Sequence, residues 1–371
     1  MERHISGVLK RIRIFNSKIV DYMKMKANAV CQEKVNNRDL TWDAIKGIAI
    51  LLMVIGHSGC PSYLRNFIYL FHMGLFYYAS GHFFKTNGID GFLPFLKRKV
   101  IGLYRPYLIW GGIFVLLHNV FYSLGWYTEE YSLSYTFKKL AMTVLFKDVE
   151  NLLAPLWFLQ SLFKGLIITY IVCLIPKKKI QWGIVIMLYL IGWICYEKEV
   201  HLFYSMNRDM GVVIVIFLGY ELRNFSILQN KWCFWFSIVL LLSSCFWVRI
   251  DLVGGGLGQL GMFPILALAG VIFIRRIISA CQLKLDYCYK MFVWLGHNSL
   301  YILIFHFTGF HLLSQMMVCI GIGNPNSLSN LTTLRGINNN VWFIPYTLAG
   351  LVLPFVYLEV KQIVHKCCSN K

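Results

Sequence analysis

Long apolar runs recur along the chain from Ala44 to Val364, and only short polar breaks separate them. A helix needs about 20 mainly apolar residues to cross a bilayer, close to the length of most of these runs. We therefore predict an all-α, polytopic integral membrane bundle of about ten transmembrane helices, with no soluble enzymatic domain. The predicted spans lie near residues 44–60, 65–84, 100–124, 153–175, 180–196, 209–222, 232–248, 258–275, 291–318 and 341–364.

The distribution of charge predicts an orientation for the bundle. The chain has 36 Lys and Arg against 17 Asp and Glu, and its net charge of +19 would suggest a nucleic-acid partner in a soluble protein. With the N-terminus placed inside, 25 basic residues fall in cytoplasmic segments and 8 in the opposite segments. This is the positive-inside asymmetry. We therefore expect a plasma (inner) membrane protein in contact with lipid, with both termini cytoplasmic and no nucleic-acid partner.

Composition narrows the class further. The chain is 57% hydrophobic and only 14% charged, whereas soluble domains are about 25% charged. The first 42 residues are polar and basic, so no signal peptide is predicted, and the eleven cysteines lack paired metal-ligand spacing, so no metal site is predicted. We divide the chain into a basic cytoplasmic tail at 1–42, a ten-helix membrane domain at 43–365 and a short cytoplasmic tail at 366–371.

The first predicted span contains two ionisable residues, Lys46 and His57, within an otherwise apolar run. They are eleven residues apart, which is roughly three helical turns, so they share a face and lie ~16 Å apart along the axis. Ionisable groups inside a membrane are costly unless they are paired or used, and this favours a functional role. The alternative interpretation is a lysine that reaches the interface and a histidine that is hydrogen-bonded to a neighbouring helix.

A second histidine, His72, follows in the second span. A tight turn at residues 59–62 joins the two spans, so His57 and His72 should lie at comparable depth in the outer half of the membrane. Two imidazoles that meet suit acid–base chemistry, because one can act as a base while the other orients or protonates. The alternative is a hydrogen-bonded pair that holds two helices together.

Cations gather at the inner end of the third span. Lys97 and Arg98 belong to a Lys-Arg-Lys run, and Arg105 lies within the apolar stretch beside a proline. Such a cluster suits a polyanion, for example the phosphates of a nucleotide-bearing cofactor. Contact with lipid headgroups is the alternative. At the outer end of the fourth span, Trp157 and Gln160 are candidate ligand-binding residues.

The ninth span is the third candidate element. Asn298, Ser299 and His306 place polar groups on an otherwise apolar helix, and a histidine at mid-span is expected to point into the bundle. The alternative for His306 is an interhelical hydrogen bond. All seventeen acidic residues fall in loops or at span ends. We therefore expect buried ionisable groups to be cations or imidazoles, which favours an anionic ligand over proton-coupled transport.

Five short motifs in order make the chain resemble the acyltransferase family three membrane proteins. The resemblance covers about residues 38–310 and looks closest to the fucose O-acetylase-like branch. Gly74 departs from the pattern, because it stands where the family usually has proline. The motifs are Lys46 with His57, Phe71–Phe76 with Ser80 and Gly81, Arg98 with Arg105–Tyr107, Leu156–Leu159, and Gly296 with Asn298–Leu300 and His306.

The resemblance implies transfer of an acyl group, usually acetyl from cytoplasmic acetyl-CoA. The acceptor would be a sugar hydroxyl of a surface or exported polysaccharide, or of its lipid-linked precursor. By this resemblance, His57 is expected to be the general base or a transient acyl carrier. His72 would orient it or protonate the leaving thiolate.

The remaining candidates are assigned on the same expectation. The cations would bind the phosphates of acetyl-CoA, the polar residues of the ninth span would donate to the tetrahedral oxyanion, and the fourth-span pair would contact the acceptor. The three groups are Lys46, Lys97, Arg98 and Arg105; Asn298, Ser299 and His306; and Trp157 and Gln160.

Two other classes of protein are compatible with a polytopic bundle. A transporter or flippase for a glycan intermediate would explain the helices and the aromatic loops, but not the register of Lys46 and His57. A structural partner in a glycan synthase complex would leave the whole motif set unexplained. The sequence leaves the acceptor sugar and the oligomeric state open.

Overall fold

The computed structural model describes residues 39–85, 91–200, 202–225 and 230–369. Residues 1–38 of the predicted basic tail and the last two residues of the C-terminal tail lie outside the described residues. Within the described part of the chain there is no β-strand, and most residues are helical. The prediction of an all-α fold is confirmed.

Fifteen α-helices make up the described part of the chain, joined by short turns and single turns of 3₁₀-helix. They are α1 (Leu40–His57), α2 (Ser62–Tyr69), α3 (His72–His82), α4 (Phe92–Lys99), α5 (Arg105–Leu116), α6 (His118–Ser123), α7 (Leu133–Val144), α8 (Trp157–Cys173), α9 (Lys178–Glu197), α10 (Met206–Glu221), α11 (Lys231–Ser244), α12 (Phe263–Lys284), α13 (Asp286–His297), α14 (Ser299–Cys319) and α15 (Asn339–Ser369).

Six helical segments in the described residues are long and apolar enough to cross a bilayer. A shorter apolar helix, α11, accompanies them. The membrane bundle is therefore confirmed, whereas the count of ten spans stays a prediction. The six segments are Leu40–His57, Asn151–Cys173, Lys178–Glu197, Phe263–Lys284, Ser299–Cys319 and Asn339–Lys361.

The span predicted at 65–84 is divided into α2 and α3. The break falls at Leu70 and Phe71, where the backbone of Phe71 leaves the helical region with φ of −144°. His72 is consequently the first residue of α3, and its Nδ1 hydrogen-bonds to the carbonyl oxygen of Ile68, across the break. The break therefore fixes the histidine at the end of a helix, where a neighbouring turn holds its ring.

Two further predicted spans are also interrupted. The one at 100–124 begins with a π-helical turn at Val100–Tyr104, just before Pro106, whose missing N–H cannot join a regular ladder. The one at 291–318 is divided at Asn298, which separates α13 from α14. Its Nδ2 donates a hydrogen bond of 2.9 Å to the carbonyl oxygen of Trp294 in the last turn of α13. Local backbone effects of this kind are invisible to an apolar-run count.

Helix α1 lies at the centre of the bundle and packs most extensively against α13. Gly47 and Gly296 allow this close approach. A Cβ built at Gly47 would lie 1.8 Å from the carbonyl oxygen of Phe292, and one at Gly296 would lie 1.7 Å from that of Asp43. In a membrane, where apolar side chains gain little by leaving lipid, contact between small residues is a main source of helix association. This pair fixes the position of α1.

A methyl group at Gly296 should separate the two helices. We expect Gly296→Ala to lower the stability of the fold by about 1–3 kcal/mol, the usual cost of overpacking a tight contact. Thermal unfolding of the purified protein in detergent measures this. Gly183→Ala is the matched control, because a Cβ at this glycine of α9 meets nothing within 4 Å. Equal unfolding temperatures for the two variants would contradict the proposed role of the contact.

Candidate functional site

Three cavities lie along one side of α1. We name them from their contents: the basic cavity of about 290 Å³, the middle cavity of about 190 Å³ and the histidine cavity of about 80 Å³. The basic cavity contains Lys46, Arg98 and Lys99 in its wall. The histidine cavity contains His57 and His72.

The cavities adjoin one another, because neighbouring cavities share wall residues. The middle and histidine cavities have Met53, Met73 and Leu303 in common. The three cavities thus lie in a row along α1, from the cations to the two imidazoles, and we call this row the path. The basic and middle cavities share Lys46, Ser80, Gly102, Leu103 and Leu162.

His57 is the last residue of α1, is partly buried and lines the histidine cavity. The ring centroid lies 5.6 Å from that of His306, 5.2 Å from that of Phe307 and 6.2 Å from that of Tyr69. Within the described residues, no hydrogen bond holds either ring nitrogen. An imidazole with free nitrogens at the wall of a cavity can accept a proton from a bound molecule.

The other two predicted histidines have defined tautomers. The Nδ1 atoms of His72 and His306 each lie 3.0 Å from a backbone carbonyl oxygen one turn earlier, at Ile68 and Ile302. A carbonyl can only accept, so each Nδ1 carries the proton and each Nε2 keeps a lone pair. His306 is fully buried, and its Nε2 has no hydrogen-bond partner within the described residues.

The ring of Tyr69 lies near both His57 and His72, the two histidines predicted to lie at comparable depth. Its ring centroid lies 5.1 Å from that of His72 and 6.2 Å from that of His57, and it lines the same cavity. Its hydroxyl donates to the carbonyl oxygen of Gly56 at 3.4 Å. Sequence reasoning missed Tyr69, because a tyrosine at the outer end of an apolar run normally indicates an interfacial aromatic belt.

The predicted cations separate into two groups. Lys46 and Arg98 line the basic cavity together with Lys99, whereas Lys97 and Arg105 line none of the three cavities. Lys46 forms an ion pair of 2.7 Å with Asp43, and its side chain keeps 24% of its surface exposed. The pairing lowers the cost of a cation inside the bundle.

Polar candidates on the later helices are also divided. Ser299 lines the middle cavity, whereas Asn298 and His306 line none of the three. Trp157 lines the histidine cavity. Gln160 is buried one turn further along α8, where its Nε2 donates a hydrogen bond of 2.8 Å to the hydroxyl of Tyr107. The structure therefore gives Gln160 a contact between helices.

The expectation that buried ionisable groups are only cations or imidazoles is wrong. The side chain of Asp209 is fully buried, and that of Asp43 is 4% exposed. Asp209 pairs with Lys164 on α8 and, at 3.2 Å, with Arg208. Each acid lies in the first turn of its helix, where the helix dipole stabilises a negative charge. Position and pairing together explain how these carboxylates are tolerated.

The buried ion cluster also contacts the histidine cavity through Trp157. The guanidinium carbon of Arg208 lies 4.8 Å from the ring centroid of Trp157, within the range of a cation–π contact. Asp209 accepts a hydrogen bond from Nε of the same guanidinium group. The sequence carried a signal for this cluster, because Asn207, Arg208 and Asp209 are three consecutive polar residues at the edge of an apolar run.

Removal of the carboxylate at residue 209 would break two ion pairs inside the bundle, those with Lys164 and Arg208. We expect Asp209→Asn to destabilise the protein by about 3–5 kcal/mol, the range measured when one member of a buried ion pair is lost. Detergent-solubilised protein can be compared by thermal unfolding. Asp286→Asn is the control, because it breaks an exposed pair with Lys290, and such pairs contribute about 0–1 kcal/mol. A loss no greater than that of the control would refute the assignment.

Among the described residues, no group of three or more His, Cys, Asp or Glu side chains is placed to hold a metal ion. What the site offers is a set of cations at one end of a path and free imidazole nitrogens at the other. Such an arrangement suits transfer of a group from an anionic donor to an acceptor at the histidine end.

Comparison with known proteins defines the class. The chain combines apolar helices long enough to cross a membrane with a match to an acyltransferase domain. It belongs to acyltransferase family three, whose domain matches residues 39–359. The resemblance of its motifs to this family is thereby confirmed.

Two curated relatives are both named Nodulation protein NolL. The protein from Sinorhizobium fredii is 35% identical over 96 residues, which cover 22% of this chain and 25% of the relative. The protein from Mesorhizobium japonicum is 28% identical over 160 residues, which cover 38% of each chain. The chain therefore spans well under half of the length of these relatives. No solved structure matches the chain.

Proposed function

We propose that the protein is an O-acetyltransferase that moves an acetyl group from cytoplasmic acetyl-CoA to a sugar hydroxyl. The observation that carries this proposal is the path of adjoining cavities from Lys46, Arg98 and Lys99 to His57 and His72. A donor bound at one end can present its reactive carbon at the other.

The chemistry of the donor fits the path. Coenzyme A is a polyanion with a long, narrow arm, and the cations of the basic cavity are suited to its phosphates. The walls of the middle cavity are mostly apolar and include Met53 and Leu162. The arm would run through this cavity parallel to α1, over the ~16 Å that separates Lys46 from His57 along a helix.

The reaction assigns a role to the free nitrogen of His57. The imidazole takes the proton of the acceptor hydroxyl, and the oxygen attacks the thioester carbonyl carbon. The carbon–sulfur bond then breaks, and the imidazolium returns the proton to the leaving thiolate. The products are the acetyl ester and coenzyme A. His306 and Tyr69, which contact the His57 ring, keep it in position.

Two other residues complete the proposal. The Nε2 lone pair of His72 can accept a hydrogen bond from another hydroxyl group of the acceptor in the same cavity, so His72 orients the acceptor. Ser299 is the one member of the predicted oxyanion set that lines the path, but it lines the middle cavity, about 10 Å along the helix from His306. We therefore propose that its hydroxyl contacts the arm of the donor and not the oxyanion. Asn298 has a structural role at the start of α14, and His306 helps to orient the ring of His57.

The finer assignment follows the family resemblance and the charge distribution. We place the protein in the inner membrane with cytoplasmic termini, so that the basic cavity opens to the cytosol and the histidine cavity to the far side. The acceptor is a sugar of a surface or exported polysaccharide, or of its lipid-linked precursor. The fucose O-acetylase-like branch is the proposed position within the family.

Substitution of His57 tests the base directly. We expect His57→Ala to abolish O-acetyl signals in the NMR spectrum of surface glycan, while glycan export and membrane insertion stay normal, because the imidazole acts only in the chemical step. The strain should carry the variant gene in place of its own. His297→Ala, which alters an exposed histidine outside the three cavities, serves as the control.

The same experiment separates the enzyme from a transporter. Normal acetylation by His57→Ala would end the proposed role of the imidazole. A deletion strain that lacks the glycan at its surface, or retains it inside, would favour a flippase.

The donor end is tested by a comparison of cations. We expect Arg98→Ala and Lys99→Ala each to raise the KM for acetyl-CoA about tenfold with little change in kcat, since one charge-assisted hydrogen bond is worth roughly 1.5–3 kcal/mol. Release of coenzyme A by the purified protein measures this. Lys97→Ala and Arg105→Ala are matched controls, because these cations lie outside the cavities. Equal effects of all four substitutions would argue for lipid or surface-charge effects instead.

A further inference from the structure

The loop between α11 and α12 forms one wall of the histidine cavity. Residues 250–253 all line it, and the side chain of Asp251 is exposed. The sequence placed this segment between two predicted spans and assigned it no role. It therefore contributes a surface to the site beyond the residues that the reaction requires.

The loop is fixed at its base. Asp251 and Gly256 form two backbone hydrogen bonds, of 3.2 Å from the Asp251 N–H and 2.6 Å from the Gly256 N–H. On either side, the side chains of Ile250, Leu252 and Leu257 are buried. Because these hydrogen bonds and buried neighbours fix the loop, the Asp251 carboxylate has a defined position in the cavity wall.

Asp251 differs in charge from the rest of the path. It is the one acidic residue among the described residues that line the three cavities. No ion pair joins it to another described residue. The guanidinium group of its near neighbour Arg249 instead donates to the carbonyl oxygens of Cys245 and Val248. The negative charge is thus available to a molecule in the cavity.

The other wall residues indicate what that molecule is. Tyr69 and Trp157 provide aromatic surface, and His57 and His72 provide ring nitrogens. A carboxylate accepts hydrogen bonds from hydroxyl groups, whereas aromatic rings pack against the C–H faces of a sugar. The same carboxylate would repel an anionic acceptor. An uncharged polyol satisfies every one of these groups.

We propose that Asp251 binds the acceptor, and that this acceptor is an uncharged sugar with a second hydroxyl beside the one that is acylated. The first hydroxyl reaches His57, and its neighbour donates a hydrogen bond to Asp251. This inference rests on the proposed acetyl transfer and deepens it, because it assigns a substrate class to the histidine end. Asp251 is a specificity-determining residue, because the proton transfer requires only the imidazole.

Asp251 also has a structural contact that a test must separate from binding. One carboxylate oxygen accepts a hydrogen bond of 3.3 Å from the N–H of Gly254, within the loop. The side chain of asparagine offers an oxygen for the same bond but carries no charge. Asp251→Asn therefore keeps the turn and removes the charge, which makes it the informative variant.

The experiment compares a neutral and an anionic acceptor of the same shape. The full-length protein in detergent, supplied with acetyl-CoA, is assayed by coenzyme A release with methyl β-D-glucopyranoside and with methyl β-D-glucuronide. Calorimetry measures the binding of each glycoside without turnover. The control is Glu197→Gln, since Glu197 is exposed at the end of α9 and lines none of the cavities.

The wild-type protein should favour the glucopyranoside. Asp251→Asn should raise the ratio of kcat/KM for glucuronide to that for glucopyranoside about fivefold to tenfold, the size of one like-charge contact about 4 Å apart in a water-filled cavity. The KM for acetyl-CoA should not change. The binding constants should shift in the same sense, and Glu197→Gln should match the wild type.

The outcomes separate this inference from the proposed reaction. Turnover with an unchanged acceptor ratio in Asp251→Asn overturns the role of Asp251 and leaves the acetyltransferase intact. Selective binding of the neutral glycoside without any turnover refutes the proposed reaction but retains the sugar site. The absence of both binding and turnover contradicts both proposals.

Discussion

The close contact between α1 and α13 is the constraint on which the site depends. Gly47 and Gly296 let the two backbones approach until no Cβ would fit between them, and this contact holds α1 at the centre of the bundle. Lys46 adjoins Gly47, and His57 ends the same helix. Because one rigid helix carries both residues, the cation and the imidazole keep a fixed separation, and the path of cavities runs beside it.

A second contact of the same kind positions the partner helix. A Cβ at Gly81 of α3 would lie 1.9 Å from the carbonyl oxygen of Ile216 on α10, and one at Gly219 would lie 2.2 Å from that of Tyr78. Helix α10 also carries Asp209 in its first turn. The contact that places α3 and His72 thus also places the ion cluster behind Trp157. Close backbone contact at glycines, more than the burial of apolar side chains, organises the site. This is expected in a membrane, because apolar side chains gain little by leaving lipid.

The buried charges follow from the same environment. An isolated ion in the bundle would be costly, so Asp209 is matched with Lys164 and Arg208, and Lys46 with Asp43. Lys46 remains partly exposed in spite of its ion pair, and an anionic ligand in the basic cavity can reach it. At the far end, Asp251 gives the cavity the opposite charge. The path is therefore polar at both ends and mainly apolar in between.

The sequence by itself determined the membrane class, the family, and the register of Lys46 with His57, because apolar length and helical period are local properties. It predicted the paired histidines at one depth, since a short turn leaves few alternatives. Only the tertiary structure decided that Arg98 and Lys99 line the path while Lys97 and Arg105 do not, and that Gln160 bonds Tyr107. The burial of Asp209 in an ion cluster and the position of Asp251 in the cavity wall were likewise visible only in the tertiary structure. Their partners come from distant helices, and which side chains meet across a bundle depends on packing that no single segment encodes.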